Sequence, residues 1–313
     1  MTPLPPAQPL PFRLLLDEAV RQTRHHFKPI YPAVAIPLAL LSALLPLAQW
    51  LMFRGLPGEG EAVPRPWEML QGFALFWVVM VVWLVVYYLS YAVLLGAAVD
   101  AVAQRPVEMG RAWLAMVRPR RLGTLFLVAA ATALGFTCCV LPGIYLGLLF
   151  SFTVPVMVDE GFFGTTAMRR SADLARYNPQ RAFDADPRFK VFVIVFVGFL
   201  LGYAISMLVQ LPLIVVQQVM MAREIAGGRR LDPAALMARM SLLQAPAQVL
   251  GMLTNTAVHL YVSFGLALLY VDVKRRREGS DLEAAVEQIV RSHLGPAAGA
   301  ALPTTPTPEA AGS

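Results

Sequence analysis

Five polar side chains recur along one otherwise apolar stretch of this chain: Gln248, Asn255, His259, Ser263 and Tyr270. Their spacings of 7, 4, 4 and 7 put them on one helical face. A second apolar stretch carries Tyr203, Ser206, Gln210 and Gln217 in a similar row. Amide, imidazole and hydroxyl groups in hydrocarbon turn toward a bundle interior or a wet cavity, where they find partners. Two chemistries follow. The groups can serve as packing glue, each interhelical hydrogen bond contributing about 0.6 kcal/mol. Or they can line a polar path or ligand pocket built from Asn255, His259, Ser263, Ser206 and Gln210, with His259 as its proton-responsive member. With midpoints near Ser206 and His259, the two faces are predicted to meet with Gln210 opposite Asn255.

A charged constellation is the second candidate. Asp159 and Glu160 close an apolar stretch and precede Arg169 and Arg170. That order suits an ion-pair latch tying the arginine-bearing helix to a bundle, or plain helix-end charges at headgroup level. Asp272 followed by Lys274 to Arg277 has a similar look, although a basic run after a last span also anchors topology and favours anionic lipid. For catalysis the chain is poor. It has no H-E-x-x-H, G-x-S-x-G, P-loop or paired intramembrane carboxylates, so the expectation is a protein that is not an enzyme. Neither cofactor nor metal is implied. His25-His26 suits a solvated helix face, and Cys138-Cys139 are adjacent, a spacing that rarely meets disulfide geometry. The basic residues lack aromatic interleaving on a soluble face, so nucleic acid is not an expected partner.

The elements that must position these groups are membrane spans. The chain is 57% hydrophobic and only 15% charged, where soluble domains carry about a quarter charged residues. Charge-free runs cover 29–53, 69–99, 122–158, 191–222 and 240–271, each long enough to cross a bilayer. The run 122–158 is too long for one span. Its 37 residues would make a helix of about 55 Å, against a hydrocarbon core of about 30 Å. Leu141-Pro142-Gly143 at its middle suggests two short spans joined by an outer-surface turn.

Arginine and lysine decide between the models, because they are retained on the cytoplasmic side. With a hairpin at Pro142-Gly143 the chain has six spans, and 20 basic residues fall on one side against 6 on the other. With a single span the count is 13 against 13. The sequence therefore predicts an all-α polytopic membrane protein with six transmembrane helices over roughly 30–51, 69–98, 122–140, 143–158, 190–220 and 246–272. Both termini are placed in the cytoplasm. Met1 to Leu10 lacks a basic start and contains prolines, unlike a secretory signal.

Three times, a basic helix precedes a pair of spans: Phe12 to Phe27, Val107 to Val117, and Thr165 to Tyr177. These are expected to be amphipathic interfacial helices on the cytoplasmic side, and the three helix-plus-hairpin units suggest a repeat. Residues 1–11 are expected to be disordered, 12–279 to form the membrane domain, 280–294 a cytoplasmic amphipathic helix, and 295–313 a disordered tail. The capping-box spacing Ser280-Asp281-Leu282-Glu283 marks the start expected for that helix. Asp232-Pro233 suggests another helix start, on the outer surface, in the arginine-bearing loop 221–245.

Two passages carry a family likeness. One runs Pro142-Gly143-Ile144-Tyr145-Leu146, then Val158-Asp159-Glu160-Gly161 and Ala167-Met168-Arg169-Arg170-Ser171; the other is Leu269 to Glu283. Together they resemble a bacterial membrane-domain family found alone or fused to glycerophosphoryl diester phosphodiesterases. Val271 stands where that family has a second tyrosine, and Lys274 where it has an arginine. The resemblance implies a polytopic protein of the bacterial inner (plasma) membrane and no reaction. The phosphodiesterase activity belongs to a separate barrel of about 250 residues, for which this chain has no room.

The first functional expectation is a non-enzymatic membrane module organising lipids or partner proteins. Its partners would be the lipid bilayer and anionic headgroups, with a membrane-protein partner or homo-oligomer as further options. The alternatives are a transporter or channel using a polar path between spans five and six, and, third, an intramembrane enzyme.

Overall fold

The computed structural model describes residues 11–54, 66–178, 186–226 and 233–294. They form α1 (Phe12–Arg54), α2 (Pro66–Val102), α3 (Met109–Met116), α4 (Pro119–Cys138), α5 (Val140–Phe150), α6 (Thr153–Asp159), α7 (Gly164–Ala175), α8 (Pro187–Ala226) and α9 (Pro233–Leu294). Among the described residues, six helical stretches are long and apolar enough to cross a membrane: α1, α2, α4, α5 with α6, α8 and α9. No strand occurs among the described residues. The chain is an all-α polytopic protein. The terminal segments expected to be disordered, apart from Pro11, lie outside the described residues.

α9 is the central helix. It packs along α1, α8 and α2, whereas α2 and α8 make no substantial contact with each other. Two glycines bring α8 and α9 together. A side chain on Gly198 would collide with Val262, and a Cβ on Gly202 would lie 3.2 Å from Asn255 Oδ1. Their spacing is the small-xxx-small pattern that lets helix backbones approach in lipid. Asp186-Pro187 starts α8: Asp186 Oδ1 accepts the Arg188 backbone N–H at 2.8 Å, and Pro187 takes the first turn, where no N–H is needed.

The predicted hairpin forms, but its turn sits elsewhere. Cys139 is the extended residue between α4 and α5 (φ −173°, ψ 150°), and Pro142-Gly143 lie inside the first turn of α5. A proline in a first turn forfeits no intrahelical bond. Gly143 is used for proximity rather than for turning. A Cβ on Gly135 would stand 2.9 Å from Gly143 Cα, and a side chain on Gly143 would meet the Phe136 ring.

The fourth span is broken. α5 stops at Phe150 and α6 begins at Thr153. Pro155 lies four residues beyond Ser151 and leaves that carbonyl without a helical donor at the break. Ser171 of α7 stitches the break, its Oγ donating to the Leu149 carbonyl at 2.7 Å and accepting from the Phe152 N–H at 3.2 Å. A similar repair acts on α1, which contains four internal prolines. Pro37 leaves the carbonyl of Ala33 without its helical donor, and Trp113 Nε1 of α3 donates to that oxygen at 3.4 Å.

Other expectations need correction. Residues 12–27 are not a separate helix; they are the first turns of the continuous α1, with Leu15 and Ala19 buried in the core. Only α3 and α7 are short helices preceding a span, so the three predicted units are not alike. Ser280 does not start a helix, because α9 runs through it to Leu294. The side chains from 280 onward lie outside the described residues. Pro233 does start a helix, but that helix is α9 itself and continues into the sixth span.

The long helices overshoot a bilayer. α1, α2 and α8 have 43, 37 and 40 residues, or about 65, 55 and 60 Å at 1.5 Å per residue. At one end of the bundle the short helices α3, α6 and α7 pack against α1, α2 and α9. Phe152, Phe264, Tyr270, Met116 and Leu174 are buried there.

Candidate functional site

The two predicted polar faces do meet, at a groove of about 820 Å³. α9 forms its floor with Gln248, Asn255 and His259; α8 forms one wall with Tyr203, Ser206 and Gln210. α2 forms the other wall with Trp83, Tyr87, Tyr88 and Tyr91, and Ser42 of α1 contributes at the back. The groove faces sideways. Tyr88, Phe199 and Tyr203 on its rims are about half or more exposed, at 54%, 65% and 54%.

Its polar groups are partly paired. The Tyr87 hydroxyl and His259 Nε2 share a 2.7 Å hydrogen bond, and His259 meets the Tyr87 and Tyr91 rings edge-on at 5.7 and 5.5 Å. Gln210 Nε2 donates to Ser206 Oγ at 2.9 Å. The Trp83 indole N–H is buried and has no hydrogen-bond partner among the described residues.

The predicted register is wrong by about two turns. Gly202 stands against Asn255 and Val258, and Gly198 against Val262, so Gln210 lies further along α8 than the point opposite Asn255. The glycines, not the polar residues, set the depth of contact. Ser263 is not in the groove. It is fully buried beneath it, its hydroxyl without a partner among the described residues.

The second constellation lies at the end of the bundle where α3, α6 and α7 pack. Asp159 Oδ2 accepts from Lys274 Nζ at 2.7 Å and from the Tyr270 hydroxyl at 3.1 Å, and Asp159 Oδ1 pairs with Arg105 Nη2. Glu160 accepts from Arg170 Nε at 2.8 Å and from the same Tyr270 hydroxyl at 2.9 Å. Glu278 lies 3.5 Å from Arg170 and 3.8 Å from Lys274. The Asp159 carboxylate beside Arg105 raises the pKa of that guanidinium further still. The latch expected from Asp159, Glu160 and Arg170 therefore forms and joins α6, α7 and α9. Arg169 takes no part: it is exposed and makes no ion pair among the described residues. Asp272 pairs instead with Arg276 of its own helix at 2.8 Å.

Several members of these sites went unrecognised in the sequence. Trp83, Tyr87 and Tyr91 repeat every four residues along one face, a signal masked by the other aromatics of α2. Gly198 and Gly202 are a plain small-xxx-small pair. Arg105 lies in the turn after α2, and nothing in its local sequence points to Asp159. A smaller cavity of about 490 Å³ between α1 and α9 is lined by Val20, Thr23, Arg24, Phe27, Lys28 and Tyr261, among others. No three histidine, cysteine or acidic residues cluster as a metal site among the described residues. No family model, no curated protein and no solved structure matches this chain.

Proposed function

We propose that this protein is a non-enzymatic module of a bacterial inner membrane that holds a lipid in a groove opening sideways into the bilayer. The observation that carries the reading is the groove itself. Its volume is within the range of about 300–1,000 Å³ typical of small-molecule sites. Its lining combines apolar walls with a few polar groups, as lipid recognition requires. Both ends of the described chain face the cytoplasm in this reading, with Arg24 and Lys28 beside the smaller cavity meeting anionic headgroups.

Transport is the second reading, favoured by the polar line from Gln210 and Gln248 through Ser206 and Asn255 to His259. The lining stops at Val262, however, and Ser263, Phe264 and Leu266 beyond it are buried. A through-path requires the latched end to open.

The test is photo-crosslinking from the rim of the groove. A benzophenone amino acid at Phe199 is expected to capture lipid from native membranes, and more of it than the same group at exposed Leu134 on α4. Equal capture at both positions would mean that the groove is ordinary lipid-facing surface. Uptake of a solute into vesicles, dependent on His259, would favour the transport reading.

A further inference from the structure

The cavity of about 490 Å³ between α1 and α9 carries positive charge that the chain itself does not balance. Arg24 and Lys28 line it from successive turns of α1, both exposed, and neither makes an ion pair among the described residues. Like charges at this spacing repel and destabilise a helix when no anion stands between them. The neighbouring acids are spent or distant. Glu18 is taken by Arg21 at 2.6 Å and by Gln22 at 2.6 Å. Asp17 lies about two turns before Arg24, and the run 240–271 of α9 has no charge at all.

The cavity also lies where a bilayer must end. On α1 the charge-free run 29–53 starts directly after Lys28, and its Ile36, Leu40 and Leu44 are exposed apolar side chains. On α9 continuous burial in protein starts at Val262, next to Tyr261 of the cavity wall. His26 meets the Phe264 ring at 5.6 Å, so these two boundaries face each other across the helix pair. Phe27, also in the wall, stacks on Tyr31 at 4.4 Å. Tyrosines beside basic residues are the composition of a headgroup layer.

We propose that this cavity binds one anionic phospholipid, its phosphodiester held between the Arg24 guanidinium and the Lys28 ammonium and an acyl chain entering the apolar slot between α1 and α9. The site rests on the headgroup contact of Arg24 and Lys28 given above and is separate from the groove. A guanidinium offers a phosphate two parallel donors and an ammonium adds a point charge, so the pair suits a single phosphate. Val20, Phe27 and Ala257 supply the apolar walls. A zwitterionic lipid brings its own cation and gains less from the pair.

Native mass spectrometry of the purified full chain in detergent reads the affinity for the first bound dioleoylphosphatidylglycerol, with dioleoylphosphatidylcholine as the comparison. Each variant is first shown to elute and unfold like wild type. Phosphatidylglycerol is expected to bind in preference, and Arg24→Gln/Lys28→Gln to weaken it about thirtyfold, or about fivefold for each basic residue. Ala257→Phe, which narrows the slot without changing charge, is expected to weaken it as well. Arg13→Gln/Arg169→Gln removes the same charge from exposed positions elsewhere and is expected to leave the affinity unchanged. Equal weakening by the two charge pairs, or by neither, would overturn the site in favour of a diffuse basic surface. Equal affinity for phosphatidylcholine would overturn the anionic class. Displacement by the water-soluble headgroup glycerophosphoglycerol would assign the cavity to a free phosphate ester and overturn the lipid. Crosslinking at Phe199 reports on the groove in every case, so failure here and failure of the groove reading are told apart.

Discussion

The two ends of the same helices follow opposite packing rules. On α2, Ala92 to Val99 is buried residue by residue, while Leu70, Phe73, Val78 and Val85 toward the other end are more than half exposed. On α9, Val262 to Ala267 is buried continuously, while Leu250 is half exposed. Helix segments that are apolar all round need apolar surroundings on every side. At the latched end protein supplies those surroundings, through α3, α6 and α7. At the groove end a bilayer must supply them. The polar groups differ in kind: Asp159 and Glu160 are met by four side-chain partners, Arg105, Arg170, Tyr270 and Lys274, whereas the groove is lined by neutral groups such as Tyr87, Ser206, Gln210, Asn255 and His259. One end is built to stay shut and the other to receive something.

The sharpest way to break this contrast is at the latch. Glu160→Ala leaves Arg170 without its near partner in a largely buried network and is expected to cost about 3 kcal/mol of stability, read from denaturant unfolding in detergent. Groove occupancy in the molecules that remain folded is expected to be unchanged. A cost below about 1 kcal/mol would place the network among ordinary exposed pairs.

Gly198→Leu attacks the groove end. The new side chain would press on Val262, and overpacking of this kind costs about 1–3 kcal/mol. Lipid retention is expected to fall as α8 moves off α9, while accessibility of a label beside Lys274 stays constant.

Asp186→Ala removes the cap of α8, with an expected loss of about 1 kcal/mol. Burial alone would raise the Asp186 pKa, but hydrogen bonds from Arg188 outweigh it and hold the carboxyl below its ordinary value. Stability from this pair is thus present above the unfolded-state pKa of about 3.9 and lost as pH falls through the lower folded value. Wild type and Asp186→Ala are expected to converge in acid, a trend that unfolding between neutral pH and pH 3 would follow.

The smallest effect is the most specific. Trp113→Phe gives up the hydrogen bond to Ala33 and is expected to cost roughly 0.6 kcal/mol. In a Pro37→Ala background that cost should vanish, because the restored N–H at 37 reclaims the Ala33 carbonyl. A double-mutant cycle reads the difference. An unchanged cost in that background would mean that Trp113 acts through packing alone.

Much of this plan was legible in the residues. The long charge-free runs and the uneven arginines gave six helices, including the hairpin that length alone left ambiguous. Periodicity placed Asn255, His259, Ser206 and Gln210 on facing surfaces, because an unpaired polar group in hydrocarbon has few other places to go. Register was lost, because Gly198 and Gly202 decide it and a search for polar matches overlooks them. The turn was misplaced because Pro-Gly is a turn signal in water, whereas a membrane helix can take that pair into its first turn. Arg105 and Lys274 reach Asp159 from positions 54 residues before it and 115 residues after it, and local spacing holds no trace of such contacts.

The most direct test of the central contrast is a density map of the full chain in a lipid nanodisc. Elongated lipid density is expected between α2 and α8, lying along Asn255 and His259, together with a closed Asp159–Glu160 network at one end. A groove sealed by direct contact of α2 with α8, or continuous with a channel through the latched end, would contradict it.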